Sequence, residues 1–387
     1  MNVLDIRNVF SDRNTELVDF TPFHVYYAER KSETDLYLVE YNRRTNKERL
    51  LMNYTFDDPS FAEHIFAFEK TILVILENAS NSMWLIELDK KTGGELNRRK
   101  LVCTGCFKEC MALDPEHILI YMSPDEENNE VFEKYKEATG CGCLCYLYNV
   151  RTNSKYFVNY PMIARLTCSE IKQIGSGSES WLVFPDPYSD EASKEYYYRE
   201  QRWINADIRD NIWLCRTEDV INDIEQGSES VRRKCIASAD IKALVRYMGC
   251  DDSRIFFRAK EFRTGIEKIC SYDIAAGALA VEATLQPPKY SFYLVEEKPF
   301  KTFVVKNSKT VVQVQGLVNV QCDLSYDAEL GEFVTLIDDK FCLTRVSEPS
   351  DGSGTEYAYY CLYNTETGKH QRYACNCLVK GDTLVLC

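Results

Sequence analysis

The sequence predicts an all-β chain built from one antiparallel four-stranded unit used about seven times. Three observations predict it. A hairpin recurs with the same spelling, a second strand–turn–strand pattern lies between its copies, and the longest apolar runs, such as Thr71–Leu76, have only strand length.

In the hairpin, a short apolar strand ends in Asp or Asn, a Thr-Gly or Thr-Asn turn follows, and a second strand returns. It reads YLVEYNRRTNKERLLMNY at Tyr37–Tyr54, MWLIELDKKTGGELNRRKLV at Met83–Val102, CYLYNVRTNSKYFVNY at Cys145–Tyr160 and YYCLYNTETGKHQRYAC at Tyr359–Cys375. Ile269–Ala283 is a weaker copy, and the stretches around Ile212–Ile236 and Thr310–Leu324 are poor ones. Turn chemistry explains the spelling: Asp or Asn accepts from its own backbone, Thr tolerates extended geometry, and Gly or Asn supplies a positive φ.

The intervening pattern is a pair of apolar strands joined by a turn. Its copies are His64–Asn78, Cys110–Ser123, Ile171–Phe184, Leu244–Lys260, Tyr290–Lys306, Phe333–Val346 and Cys377–Cys387. Seven units over 387 residues give about 55 residues each, close to a four-stranded blade of about 40–50 residues with insertions.

On these motifs the chain resembles the β-propeller superfold over nearly its whole length. It carries neither the Gly-His…Trp-Asp marks of WD40 repeats nor regular kelch glycines; Gly93–Gly94 is the one such pair. An Asp-box of the sialidase type has a near miss at Ser350–Tyr357. The resemblance implies one domain over residues 1–387: a seven-bladed propeller of four-stranded antiparallel blades, with its ring closed by N- and C-terminal strands. The first unit lacks a clean inner pair and the last strands lack an outer hairpin, so the C-terminus is expected to complete the first blade. A count of six blades is also compatible, because two hairpin copies are poor. Architecture of this kind does not fix function.

Two insertions fall between second and third strands and are expected on one face. Residues 123–140 read as a helix with Ser123 as N-cap, Pro124 in the first turn, Glu126 in a capping box and Gly140 at the end. Val131, Phe132, Tyr135 and Ala138 would line one side of it. Residues 185–210 carry Tyr196, Tyr197, Tyr198, Arg199, Arg202 and Trp203, the residue types that dominate interfaces, and these six are the candidate binding residues. The competing reading packs these aromatics onto the blade tops.

Seventeen cysteines form no paired zinc knuckles. Cys143 and Cys145 are expected on one face of a strand, and most others serve as small core hydrophobes in a reducing compartment. Cys103, Cys106 and Cys110 keep a small claim to metal around a Thr104–Gly105 turn. The four histidines, His24, His64, His117 and His370, are read as structural, with His64 and His117 opening apolar strands. Neither a Gly-x-Ser-x-Gly elbow nor a phosphate-binding glycine loop occurs, so no catalytic residue, metal or cofactor is assigned.

A net charge of −14 argues against a general nucleic-acid surface and steers basic or neutral partners. Asp5, Arg7, Asp12 and Arg13 interrupt any apolar leader core, and no apolar run is long enough to span a membrane, so a cytoplasmic chain is expected. The functional expectation is a non-catalytic interaction or ligand-binding module for a protein, small-molecule or carbohydrate ligand at the insertion-bearing face. The alternative is a glycoside hydrolase or lyase using carboxylates in the central funnel.

Overall fold

The computed structural model describes residues 2–7, 15–21, 23–57, 61–78, 83–125, 127–160, 163–164, 166–175, 180–185, 211–228, 230–238, 243–250, 254–261, 266–285, 291–295, 301–306, 310–315, 321–325, 332–337, 341–348, 357–364, 367–375, 377–380 and 383–386. Strand β1 (Asn2–Asp5) is followed by β2 (Thr15–Phe20), β3 (His24–Arg30), β4 (Asp35–Asn42) and β5 (Lys47–Thr55). The next four are β6 (Phe61–Ala67), β7 (Thr71–Asn78), β8 (Met83–Asp89) and β9 (Glu95–Leu101). Then come β10 (Cys106–Ala112), β11 (His117–Ser123), helix α1 (Asn129–Thr139), β12 (Leu144–Asn149) and β13 (Ser154–Phe157). The fourth group is β14 (Lys172–Ile174), β15 (Trp181–Pro185), β16 (Asn211–Arg216), helix α2 (Thr217–Glu225) and β17 (Lys234–Ser238). It is followed by β18 (Ala243–Cys250), β19 (Arg254–Glu261), β20 (Glu267–Asp273) and β21 (Ala278–Leu285). The later strands are β22 (Ser291–Val295), β23 (Lys301–Lys306), β24 (Thr310–Gln315), β25 (Gln321–Ser325), β26 (Glu332–Ile337), β27 (Phe341–Glu348), β28 (Tyr357–Asn364), β29 (His370–Tyr373), β30 (Cys377–Lys380) and β31 (Thr383–Leu386).

Among the described residues these strands form seven four-stranded sheets, each made of four consecutive strands, β2 to β5 through β26 to β29. The repeated four-stranded meander is the blade of a β-propeller, and the chain has that fold. An eighth sheet has the order β1-β31-β30, with β1 parallel to β31 through pairs such as Asn2↔Thr383 and Leu4↔Val385. The terminal strands therefore meet in one sheet, as expected. They do not complete the first blade, however, because β2 to β5 already fill it. The first unit, expected to lack a clean inner pair, has one: Thr15–Phe20 pairs with β3 through a bulge between Leu17 and Asp19, which breaks the alternation there.

The chain divides into two compact units, one of residues 11–182 and 215–233, the other of residues 1–10, 183–214 and 234–387. In the first, second and third strands are buried on both faces, which is why they read as unbroken apolar runs. Ile72, Leu73, Val74, Ile75 and Leu76 are each fully buried, and every residue of β12 is buried. Tyr26, Leu36, Leu38, Met52, Ile72, Val74, Leu76 and Ile86 join the first two blades in one core cluster. Each such side chain contributes about 1.5–3 kcal/mol of burial. The fourth strand β9 alternates with its polar residues outward. In the second unit, Ile337, Leu343, Leu362, Tyr373, Cys377, Leu384 and Leu386 form a cluster joining the β26 to β29 blade to the terminal sheet.

The hairpin chemistry is as expected and has a fixed geometry. Asn42, Asp89, Asn149, Asp273 and Asn364 each end a third strand and accept, through a side-chain oxygen, the backbone N–H of a residue two or three positions on. Four positions after each stands a residue of positive φ: Asn46, Gly93, Asn153, Gly277 and Gly368. Where that residue is Asn, the tyrosine before the turn donates to it, Tyr41 to Asn46 at 2.9 Å and Tyr148 to Asn153 at 2.5 Å.

The first insertion differs in its boundaries. Ser123 is the last residue of β11 and pairs with Cys106, so it cannot cap a helix. Helix α1 begins at Asn129, after Asp125 accepts from the Asn128 backbone at 2.7 Å, and Glu126 lies outside the described residues. Gly140 ends it with φ 70° and donates to the Lys136 carbonyl at 2.7 Å. Phe132, Tyr135 and Thr139 face inward, whereas Val131 and Ala138 are exposed. The Tyr135 hydroxyl donates to the Val158 carbonyl at 2.6 Å, tying α1 to its own blade. The poor copy around Ile212–Ile236 has a physical reason too: α2 occupies the place of the tight turn between β16 and β17. Val220, Ile221 and Ile224 bury its inner face, and Glu218 and Asp219 suit its first turn. No helix among the described residues is long and apolar enough to cross a membrane.

Candidate functional site

The ends of the second and third strands concentrate the chemistry of the first unit. In the first three blades, the residue opening the second strand lies opposite the Asn or Asp that closes the third: His24↔Asn42, Thr71↔Asp89 and His117↔Asn149. Two imidazoles are thereby fixed beside hairpin turns by sheet register.

In the first blade, His24 Nε2 lies 3.1 Å from Asn42 Nδ2 and 3.3 Å from Glu40 Oε1. Glu40 is buried, and Arg49 opposite it donates its Nε at 2.7 Å. The same guanidinium reaches the next blade, donating to the Lys91 carbonyl at 2.7 Å and the Lys90 carbonyl at 3.3 Å. Lys90, also buried, returns the contact. Its Nζ donates to Asp19 at 2.6 Å and to the Phe68 carbonyl at 2.9 Å, and lies 4.8 Å from the Tyr26 ring centre. Burial, then the Glu40 charge, lifts the Tyr26 hydroxyl above the ordinary tyrosine range. Charge-assisted bonds thus hold the two blades together and form the floor of a cleft of about 560 Å³. Its floor is His24, Tyr26, Glu40, Arg49 and Lys90, and its rim is Thr21, Glu69, Lys70, Asp89 and Lys91. Beside it, the Arg44 guanidinium stacks 3.6 Å over the exposed Phe23 ring.

The third blade uses its histidine differently. His117 Nδ1 is 2.9 Å from Asp114 Oδ2, and its Nε2 faces Asn149 Nδ2 at 3.0 Å and Glu225 of α2 at 3.5 Å. Asn149 also donates to Glu225 at 2.9 Å. Burial alone would lower this imidazole's pKa, but the Asp114 hydrogen bond and the charges of Asp114, Glu225 and Glu116 together raise it above its ordinary value. The arrangement clamps α2 onto the blade. A raised value in the folded state means that this stabilisation is complete below the unfolded pKa of about 6.5 and is lost as pH rises through the folded value. Thermal melts from pH 5.5 upward should therefore show the wild type losing this increment as pH climbs above about 6.5, while His117→Gln does not. Parallel pH profiles would contradict the clamp.

A smaller cleft, about 200 Å³, lies between β2 and β6 and is lined by Glu16, Glu63 and His64 among others. Arg30 holds both Glu63 oxygens, donating to Oε1 at 3.0 Å and Oε2 at 2.5 Å. His64 sits inside β6 rather than opening a strand; burial lowers its pKa, and its ring packs 5.0 Å from that of Phe107.

Tyr196, Tyr197, Tyr198, Arg199, Arg202 and Trp203 all lie outside the described residues, as does the rest of 186–210. Among the described residues no group of three or more His, Cys, Asp or Glu side chains is placed to hold a metal ion. Gly105 of the turn considered for metal faces α1 instead, and burial raises the Cys103 and Cys110 thiols. Cys143 lies just outside β12, with Lys108 Nζ at 3.7 Å, so it does not share a strand face with the buried Cys145. The pairing of these histidines is not legible in the sequence, because each contact depends on register across two strands. Their signal was a His opening one strand and an Asn closing the next.

No protein-family model matches the sequence, and neither does any curated protein. Among solved structures, an uncharacterised protein of Listeria monocytogenes EGD-e is similar at 12% identity and TM-score 0.46, with 96% of each chain covered. The β-propeller domain of the Trilobed protease from Pyrococcus furiosus is similar at 10% identity and TM-score 0.43, covering 93% of this chain and 98% of that one. A prolyl endopeptidase is similar at 10% identity and TM-score 0.48, and this chain spans 49% of its length. The fold of the present chain rests on its own sheet topology: a β-propeller without a diagnostic family signature.

Proposed function

We propose that the protein is a non-catalytic ligand-binding propeller and that the cleft between the first two blades is a recognition site. The observation that carries this reading is the built floor: Glu40 with Arg49, and Asp19 with Lys90, neutralise one another in fixed geometry. This leaves Lys70 and Lys91 exposed at the rim, with Glu69 beside them. The cleft is of the size of small-molecule sites. A net charge of −14 steers basic or neutral partners at long range. At this rim the two lysines supply a local counterpart for an acidic group on a polar ligand or peptide segment. The Lys70→Glu/Lys91→Glu double variant is expected to weaken binding of a glutamate-rich peptide at least about tenfold by calorimetry, as reversal of two rim charges implies. Equal affinity of wild type and variant, or no binding by either, would refute the acidic-ligand assignment.

The reading also keeps Tyr196, Tyr197, Tyr198, Arg199, Arg202 and Trp203 as candidate partner contacts. The second reading, a carbohydrate-active enzyme, is favoured by the placement of Glu16, Glu63 and His64 around one cleft. The Arg30 pairing of Glu63 weighs against it, because that carboxylate is already engaged.

A further inference from the structure

Outside the cleft, the second unit brings two thiols together. Cys375 is half-buried and Cys377 is buried in the cluster of Ile337, Leu343, Leu362, Leu384 and Leu386. Cys377 Sγ lies 3.8 Å from the Cys375 carbonyl oxygen, and the Cys377 side chain offsets part of the rise that burial imposes on the Cys375 thiol. Two residues of extended chain would separate the Cα atoms by about 6.6 Å, near the upper limit for a disulfide. Here the backbone bends at Ala374 and Cys375 before β30 starts at Cys377. Arg7, paired with Asp5 at 2.6 Å, lowers the Cys375 thiol's pKa through its charge.

We propose that Cys375 and Cys377 are a reversible dithiol–disulfide pair, with the more accessible Cys375 as the attacking thiol and a small-molecule disulfide such as oxidised glutathione as the oxidant. The Cys375 thiolate attacks one glutathione sulfur, breaking its S–S bond and releasing one glutathione thiolate. The Cys377 thiolate then attacks Cys375 Sγ and displaces the second glutathione thiolate. The two protein sulfurs lose two electrons, the reagent gains them, and the two thiol protons end on the two glutathiones. Burial raises the Cys375 thiol above its ordinary value, while the Cys377 hydrogen bond and Arg7 pull it back, so exchange is faster at mildly alkaline pH. The bond would pin the start of β30 to the end of the last blade, a role independent of the cleft.

Trypsin cleavage after Arg372 and Lys380 yields one peptide, 373–380, containing these two cysteines and no other. The native full chain is treated with oxidised glutathione, then alkylated in denaturant and digested. The expected peptide carries no alkyl group and is lighter than the dithiol by two hydrogens, and dithiothreitol restores it. Doubly alkylated peptide after the other cysteine peptides have reacted would overturn the proposal. So would a glutathione adduct that persists in the wild type. In folded Cys377→Ser the adduct should instead accumulate on Cys375, and its absence there would overturn the order of attack.

Discussion

Replacing Gly105 with alanine is expected to destabilise the unit of residues 11–182 and 215–233 by about 2–6 kcal/mol, a left-handed backbone penalty added to an overpacking penalty. Gly105 has φ +92°, and a Cβ there would stand 2.3 Å from the Ser123 carbonyl oxygen and 2.5 Å from Phe132 Cζ. One obstacle is backbone at the end of β11. The other is the buried anchor of α1, so neither can yield without moving an element. Two other glycines separate the contributions. Gly227 has φ +69° with nothing within 4 Å of its Cβ position, so alanine there should incur the conformational penalty alone. Gly142 has open space and no positive φ, so Gly142→Ala should be nearly neutral. Urea midpoints for the three variants should fall in the order Gly142, Gly227, Gly105. A Gly105 variant as stable as the Gly142 variant would show that α1 does not seat against that turn.

The second large effect concerns the terminal sheet. Leu4 is 3% exposed and Ile6 fully buried, and the Ile6 amide donates to the Leu386 carbonyl at 2.9 Å. Truncating a buried Leu or Ile to Ala costs about 2–5 kcal/mol, so the Leu4→Ala/Ile6→Ala variant should lose on the order of 5 kcal/mol. Loss of β1 also bares the β31 edge, an invitation to intermolecular pairing. The expected result is a lowered melting transition together with early amide exchange at Leu384–Leu386. Unchanged protection at those amides would mean that β1 contributes no closure.

The sequence carried the blade repeat because the repeat is local. An Asn or Asp and, four positions on, a residue of positive φ fit within one hairpin, and tyrosines such as Tyr41 and Tyr148 complete it from the adjoining strand. What was hidden depended on distant partners. Strand β1 reads as four residues, Asn2–Asp5, with little alternation, and only its pairing with β31 makes it a strand. Helix α2 was read through as a degraded hairpin because its nine residues follow β16 directly, without a side-chain cap to announce it. The charged cleft is illegible in the sequence for another reason. The residue types typical of interfaces fall in the insertions between second and third strands, whereas the cleft draws His24, Arg49 and Lys90 from scattered positions along two hairpins. Their meeting needs two blades side by side, which no hairpin motif encodes.

The pairing of Asn2 with Thr383 has a consequence for the time course of folding. Every blade joins neighbours in sequence, so each can order once its own four strands exist. The terminal sheet instead unites residues separated by almost the entire chain, and closing so long a loop is entropically unfavourable until the intervening blades have shortened it. A ribosome would release the first strand long before its partner is made, and β1 must wait unpaired through synthesis of everything between. Closure is therefore the last step of assembly.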